Sequence, residues 1–372
     1  MRVVIFCHSL LSDWNHGNAH FLRGVASELL ADGHAVDVYE PHDAWSLANL
    51  LADAGPAAIA AFHAAYPQLS STRYRPEALD LDQILDGADL VLVHEWNARD
   101  LVQRIGRHRR GGSRYVLLFH DTHHRSVTDA ETFADGAIDD YDGVLAFGEV
   151  IRERYVRHGW SHRAWTWHEA ADVRVFTPRD RSASPSGDLV WIGNWGDDER
   201  SAQLHAYLFE PVAALGLTAH VYGVRYPDDA LAALRAAGIV YGGWLPNYRA
   251  PAIFGRHRVT VHIPRRPYVE ALPGVPTIRV FEALACGIPL VSCRWADVEG
   301  LFRDGDFRMV DTPAEMRGAL RELLADPAAA AAQAARGLET VLARHTCRHR
   351  VSELLDIVAT IEGSRRREVV AS

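Results

Sequence analysis

The sequence predicts an α/β protein made of two parallel-sheet halves, and three observations carry that expectation. Short runs of Val, Ile and Leu bounded by turn residues alternate with longer stretches of helical period, the pattern of strands joined by crossover helices. At 372 residues the chain is larger than one ordinary core, so two domains of similar size are expected. Near the middle, the polar stretch TPRDRSASPSGD interrupts the alternation and cannot pack a core.

The elements follow in order. Strands are expected at 3–7, 35–39, 89–93, 115–119 and 143–147, with helices at 19–31 and 151–157, in a first domain spanning 1–177. Residues 178–188 are expected as the linker. The second domain, 189–345, repeats the alternation with strands at 189–192, 219–222, 259–263 and 289–293 and helices starting near Glu199, Asp228, Tyr248 and Pro276. Beyond Pro313 the chain reads as helix, strongest over the alanine run 328–335. Residues 346–372 are expected as a last helix, with a route back to the first domain open to it, ending in a frayed tail, GSRRREVVAS.

Composition removes several function classes. Acids outnumber bases 48 to 39, for a formal charge of −9, which argues against nucleic acid or an anionic membrane surface as partner. The chain has no lysine, which excludes Schiff-base catalysis, lysine-anchored pyridoxal phosphate and the Walker A phosphate site. Four scattered cysteines without a C-x-x-C pair fit reduced thiols in a cytoplasm. Met1-Arg2 runs straight into VVIFC without a cleavable leader, and no apolar stretch has the length of an integral membrane segment.

Four segments carry chemistry. After the first strand, Gly17 and Asn18 precede an amphipathic helix, where a small residue lets a ligand approach helix-start N–H groups. The loop is not a G-x-G-x-x-G, which argues against a nicotinamide dehydrogenase. Polar strand ends follow at His94-Glu95 and at His120-Asp121-Thr122-His123-His124, and strand carboxyl ends in open α/β sheets face the ligand crevice. The alternatives for the second run are a hydrogen-bonded pair that fixes a loop and a zinc cluster of His120, His123 and His124, for which the surrounding pattern is absent.

In the second half, Gly193-Asn194 open a turn that leads to Arg200, whose guanidinium suits a diphosphate; a surface ion pair with the nearby acids is the alternative. Gly274-Val275-Pro276-Thr277 then introduces a helix whose Ile278, Phe281 and Ala285 form a buried stripe, leaving Arg279 and Glu282 one turn apart. A cleft-facing Glu282 would accept ribose hydroxyls, whereas the bland reading is an i,i+3 surface pair.

These segments, above all FEALACGIPLV with HEAADVRVFTP and WIGNWGDDER in the same order, resemble the GT-B glycosyltransferases related to family 4 (glycosyl transferases group 1), in the spore-maturation-protein-like branch. The resemblance covers nearly the whole chain. It implies the GT-B fold, two Rossmann-like domains facing a cleft, with Glu282 on the donor ribose, Arg200 on the diphosphate, and Gly274, Val275, Pro276 and Thr277 on the phosphate or donor sugar. It places His120 beside the sugars, Gly17 in the N-terminal donor loop, and Trp244, Leu245 and Tyr248 in the base-recognition segment. Two departures stand out: the family's glutamate eight positions before Glu282 is Gly274 here, and its arginine and lysine after the strand-end glycine are replaced by Asn194 and then Arg200.

The expected function is transfer of a sugar from a nucleoside-diphosphate sugar, UDP-linked by preference or GDP-linked, to a hydroxyl acceptor on a small molecule, glycan or lipid. No cofactor and no metal are expected, since Asp197-Asp198 reads as helix capping. His120 and Asp121 are the catalytic candidates, and His94, Glu95 and His123 the acceptor candidates. The family expectation is retention of configuration. Rival readings are a sugar-nucleotide epimerase and an inactive scaffold that binds glycans or partners.

Overall fold

The structure is a computed structural model that describes residues 1–133, 136–180 and 185–371. The chain divides into two compact units, one formed by Met1–Glu169 with Cys347–Ser372, the other by Ala170–Thr346. The division at Glu169 precedes the expected linker. Residues 170–180 already belong to the second unit because Ala170, Ala171 and Phe176 are buried there and the Ala171 N–H donates to the His345 carbonyl. Residues 181–184 of the expected linker lie outside the described residues.

The first unit holds seven parallel strands: β1 (Arg2–Phe6), β2 (Ala35–Pro41), β3 (Thr72–Tyr74), β4 (Leu90–His94), β5 (Val116–Asp121), β6 (Gly143–Ala146) and β7 (Ala164–Thr166), in the order β3-β2-β1-β4-β5-β6-β7. The second holds six: β8 (Gly187–Ile192), β9 (Ala219–Tyr222), β10 (Ile239–Tyr241), β11 (His257–His262), β12 (Leu290–Cys293) and β13 (Arg308–Val310), in the order β10-β9-β8-β11-β12-β13. Helices cover both faces of such sheets, so inner strands are continuous apolar runs; Val3, Val4, Ile5 and Phe6 have no exposed surface.

The sequence reading misses four strands, β3, β7, β10 and β13, and these are the four sheet edges, each three residues long. Three residues hold too little alternation to stand out from a turn. The C-terminal segment also differs from expectation. Helix Cys347–Ala371 continues through the stretch read as frayed, because Arg365 donates to the Asp142 carboxylate at 2.5 Å and to the Arg114 carbonyl at 2.8 Å. This helix packs on helix Ala19–Ala31 and buries Leu354 and Ile361 in the first unit.

In each unit the strand order reverses once, between β1 and β4 and between β8 and β11. The carboxyl ends at these reversals are where parallel sheets bind ligands.

Candidate functional site

At the reversal in the first unit, the loop after β1 and the ends of β4 and β5 bring four imidazoles together. His94 and His120 occupy paired positions on β4 and β5, so their side chains share a face, and His120 Nδ1 lies 3.4 Å from His94 Nε2. His8 and His16 stack edge to face at 5.6 Å, and the Trp167 and Phe21 rings flank His120 at 4.7 and 5.8 Å. Burial pushes His8 and His94 down to about 4. Burial, then neighbouring imidazoles, holds His16 and His120 well below the usual range. All four rings are therefore neutral near pH 7.

Three polar atoms in this group, His16 Nε2, His120 Nε2 and Asn18 Oδ1, are buried without a hydrogen-bond partner. Buried polar atoms are normally satisfied, so the arrangement is chemically incomplete by itself. Asn18 is fixed through its amide nitrogen, which donates to Glu169 at 3.0 Å. Gly17 next to it is exposed, and the left-handed turn of the loop is made by Asn15 (φ 48°), not by the glycine.

Strand alternation separates the two catalytic candidates. His120 faces Phe21 and Trp167, whereas Asp121, with no exposed surface, points to the opposite side and accepts from the Tyr155 hydroxyl at 2.9 Å and the His123 N–H at 3.2 Å. Glu95 joins Asp121 on that side, held by the Thr122 N–H and hydroxyl at 3.2 Å. Burial raises both carboxyls and each acts on the other, so the pair retains a proton that two isolated carboxylates would lose. Asp121 and Glu95 therefore shape the loop from behind while His94 and His120 present the rings. The His123 and His124 rings lie 3.8 Å apart, with His123 edge-on to Trp96 at 5.1 Å, but among the described residues no three His, Cys, Asp or Glu side chains gather as a metal set.

The second unit gathers arginines at its own reversal. Arg200 stands just before the helix Ser201–Leu204 without capping it by its side chain, stacks over Trp191 at 5.1 Å, donates to the Ile263 carbonyl at 3.2 Å and also to the Asn194 carbonyl. Its Nε is buried without a partner. Burial first and Arg265 second push Arg200 down to about 9, with Arg279 adding to the repulsion. Arg265 and Arg279 thus add positive charge around Arg200, while each is itself paired with a carboxylate, Glu199 and Glu282. Asn194 fixes the turn by accepting from the Val224 N–H at 3.0 Å. Gly193 and Gly223 let two strand ends touch, since a β-carbon on Gly223 would sit 2.0 Å from the Gly193 carbonyl oxygen.

Glu282 departs from the reading as a surface pair. It pairs with Arg279 as the i,i+3 spacing allows, but its side chain is 1% exposed while Arg279 is 28% exposed, so the pair is no surface bridge. The Gly274–Thr277 loop also differs in detail. Gly274 (φ 91°) makes a turn that L-residues rarely adopt, and its N–H donates to the Ala296 carbonyl at 2.6 Å. The Val275 N–H goes to Leu272 at 3.3 Å and Pro276 has none, so a phosphate here would meet the amides of Thr277, Ile278 and Arg279. Trp244 and Leu245 are half-exposed in the loop after β10, and Tyr248 lies in the short turn Asn247–Arg249.

The reading missed His262 and Arg265. His262 ends β11, where its ring is held by Ser292 and Thr277, and Arg265 pairs with Glu199 at 2.7 Å. The signal was the polar end HIPRR of an apolar strand, the same rule that found His94 and His120.

Residues 200–356 match the family described as glycosyl transferase-like. No curated protein matches the chain in sequence. Among solved structures, alpha-glucosyltransferase in complex with UDP-glucose and DNA is similar at 12% identity and a TM-score of 0.70, over 96% of this chain and 99% of that one. Sucrose-phosphate synthase from Thermosynechococcus elongatus matches at 14% identity and 0.64 over 100% of both chains. Anabaena HepE in complex with UDP and glucose matches at 12% and 0.64, over 97% of this chain and 100% of that one. The fold is GT-B, as the resemblance implied. One expectation is overturned: alpha-glucosyltransferase was solved with DNA, so an acidic net charge is no ground for excluding nucleic acid in this architecture. A local basic surface is sufficient for phosphate contact whatever the total charge. Among the described residues, no helix is long and apolar enough to cross a membrane.

Proposed function

We propose that this chain, with the GT-B fold and a glycosyl transferase-like second half, moves a glycosyl unit from a UDP-sugar to a hydroxyl acceptor. The observation that carries the reading is the group of Arg200, Arg265 and Arg279 at the carboxyl ends of β8 and β11, beside a helix start, in the segment that matches the family. A diphosphate there is met by guanidinium forks and by amides aligned with the helix dipole, and its developing charge on departure is stabilised by the same groups. Arg279 already holds the Glu282 carboxylate, so ribose hydroxyls bind by competing with that pair.

In the first unit, the neutral rings of His16, His94 and His120 and the carbonyl of Asn18 offer both donors and acceptors, which is what sugar hydroxyls require. His120 positions the hydroxyls rather than carrying a charge, since burial keeps its ring unprotonated. We take the transfer as metal-independent and retaining. Asp197 is held by Arg225 at 2.9 Å in a half-exposed ion pair.

Titration calorimetry with UDP tests the donor half. Micromolar binding that is lost in Arg200→Ala supports the reading, and absence of binding removes it. Incubation with a UDP-sugar panel separates transfer from epimerisation: free UDP released only with a hydroxyl acceptor marks transfer, while sugar conversion without release marks an epimerase.

A further inference from the structure

We propose that His262 is a positioning residue for the donor, holding the Thr277 hydroxyl away from the helix it precedes and so keeping that helix's first amides uncapped for the nucleotide. This rests on the reading of the second unit as the donor half.

The hydrogen-bond directions are forced. The single proton of the Ser292 hydroxyl goes to the Cys293 carbonyl at 2.7 Å, so Ser292 Oγ can only accept from His262 Nδ1, at 2.8 Å. The neutral ring then carries its proton on Nδ1. Nε2 is bare and accepts from the Thr277 hydroxyl at 2.9 Å. Burial, then the charge of Arg200, pushes His262 down to about 3, which keeps the ring neutral across the working pH range.

Thr277 is the N-cap of helix Ile278–Ala285, and a threonine there ordinarily turns its side-chain oxygen to an amide of the first turn. In this chain it makes no such cap. The Val280 N–H bonds the Thr277 backbone carbonyl at 3.1 Å instead, and the amides of Ile278 and Arg279 are left facing outward from the helix start. The geometry is thus a diverted cap: one imidazole withdraws the group that would otherwise compete with a ligand. The Arg200 charge that bears on His262 puts the ring within the same electrostatic neighbourhood as the arginine group.

Two substitutions separate this role from general packing. In His262→Asn the amide reaches Ser292 but not Thr277, so the hydroxyl is released to cap its own helix. In His262→Gln the Oε1 atom stands where Nε2 stood and accepts from Thr277 again. The expected result is UDP affinity about tenfold weaker in His262→Asn, the size of one lost or diverted hydrogen bond, and restored within about twofold in His262→Gln. Amide hydrogen exchange over residues 277–285 should slow in His262→Asn and return to the parental rate in His262→Gln. Parental UDP affinity in His262→Asn, or equal weakening in both variants, overturns the proposal. If the parental protein binds no UDP, the donor reading fails by itself, and unchanged exchange in His262→Asn then overturns the diverted cap separately. Should His262→Asn not fold, Thr277→Val removes the competing hydroxyl altogether, so the helix's first amides stay uncapped and UDP affinity within about twofold of the parental value is expected, whereas a loss of about tenfold in that variant overturns the role.

Discussion

Arg23 and Glu40 bond the backbone of the same two residues, Leu10 and Leu11. The buried guanidinium donates to the carbonyls of Leu10 and Leu11 at 2.9 and 3.0 Å, and the Glu40 carboxylate accepts from their N–H groups at 2.7 and 3.4 Å. Arg23 also holds Asp13 at 2.8 Å and lies 4.8 Å above the Phe62 ring. The loop that carries His16, Gly17 and Asn18 is thereby fixed before any ligand arrives, which lowers the ordering cost of binding.

Removing one side of this grip leaves buried charge and unpaired peptide groups. Arg23→Ala is expected to lower unfolding free energy by about 3–5 kcal/mol, read as a shifted urea midpoint. Glu40→Gln, which keeps size and one acceptor, should lose about 1–2 kcal/mol. Equal midpoints for the parental protein and Arg23→Ala would show that the grip adds nothing.

Arg200→Lys should behave like Arg200→Ala in UDP binding, with affinity reduced roughly 30-fold or more. A lysine supplies charge but cannot stack on Trp191 while reaching two carbonyls on different segments. Calorimetry decides; near-parental affinity in the lysine variant means that charge alone suffices.

His120→Ala is expected to reduce kcat by about 10²-fold with a smaller change in KM, as a group that orients the sugar acts mainly in the transition state. A rise in KM alone in steady-state kinetics would assign the ring to ground-state binding only.

Acid stability follows from the buried imidazoles. His8, His16, His94, His120 and His262 all have folded-state pKa values below the unfolded value, His8 and His94 at about 4 and His262 at about 3. The unfolded chain therefore binds more protons below pH of about 6.5, and stability falls as pH drops from there toward 4, by up to about 1.4 kcal/mol per pH unit for each ring. Glu95 and Asp121, raised by burial, oppose this in part from the ordinary carboxylate range up to about 6 for Asp121, where the folded state holds the extra proton. Thermal melting between pH 7.5 and 5 should show a declining Tm (the window follows from these shifts). A flat profile would contradict neutral burial of the rings.

The inner strands were legible because each is a continuous apolar run closed by a turn, as in VVIF and LVLV. The four edges were not, since three residues give no period. At the site, strand-end polarity pointed to His94 and His120. It gave no warning that Asp121, one residue on, faces the other way. The Arg279–Glu282 spacing announced a pair; its burial depends on what the rest of the unit stacks over Glu282, which no local pattern encodes. His262 was reachable by the rule already applied to β4 and β5, whereas its grip on Thr277 links residues 15 positions apart and is a product of tertiary packing.

Helix Cys347–Ala371 completes the unit that begins at Met1, while Ala170–Thr346 is one uninterrupted segment. During vectorial synthesis the middle of the chain can therefore mature while the earlier strands still await their covering helix on helix Ala19–Ala31. A nascent polypeptide stalled short of residue 347 would carry a finished second unit tethered to a first unit whose apolar face is still unsealed.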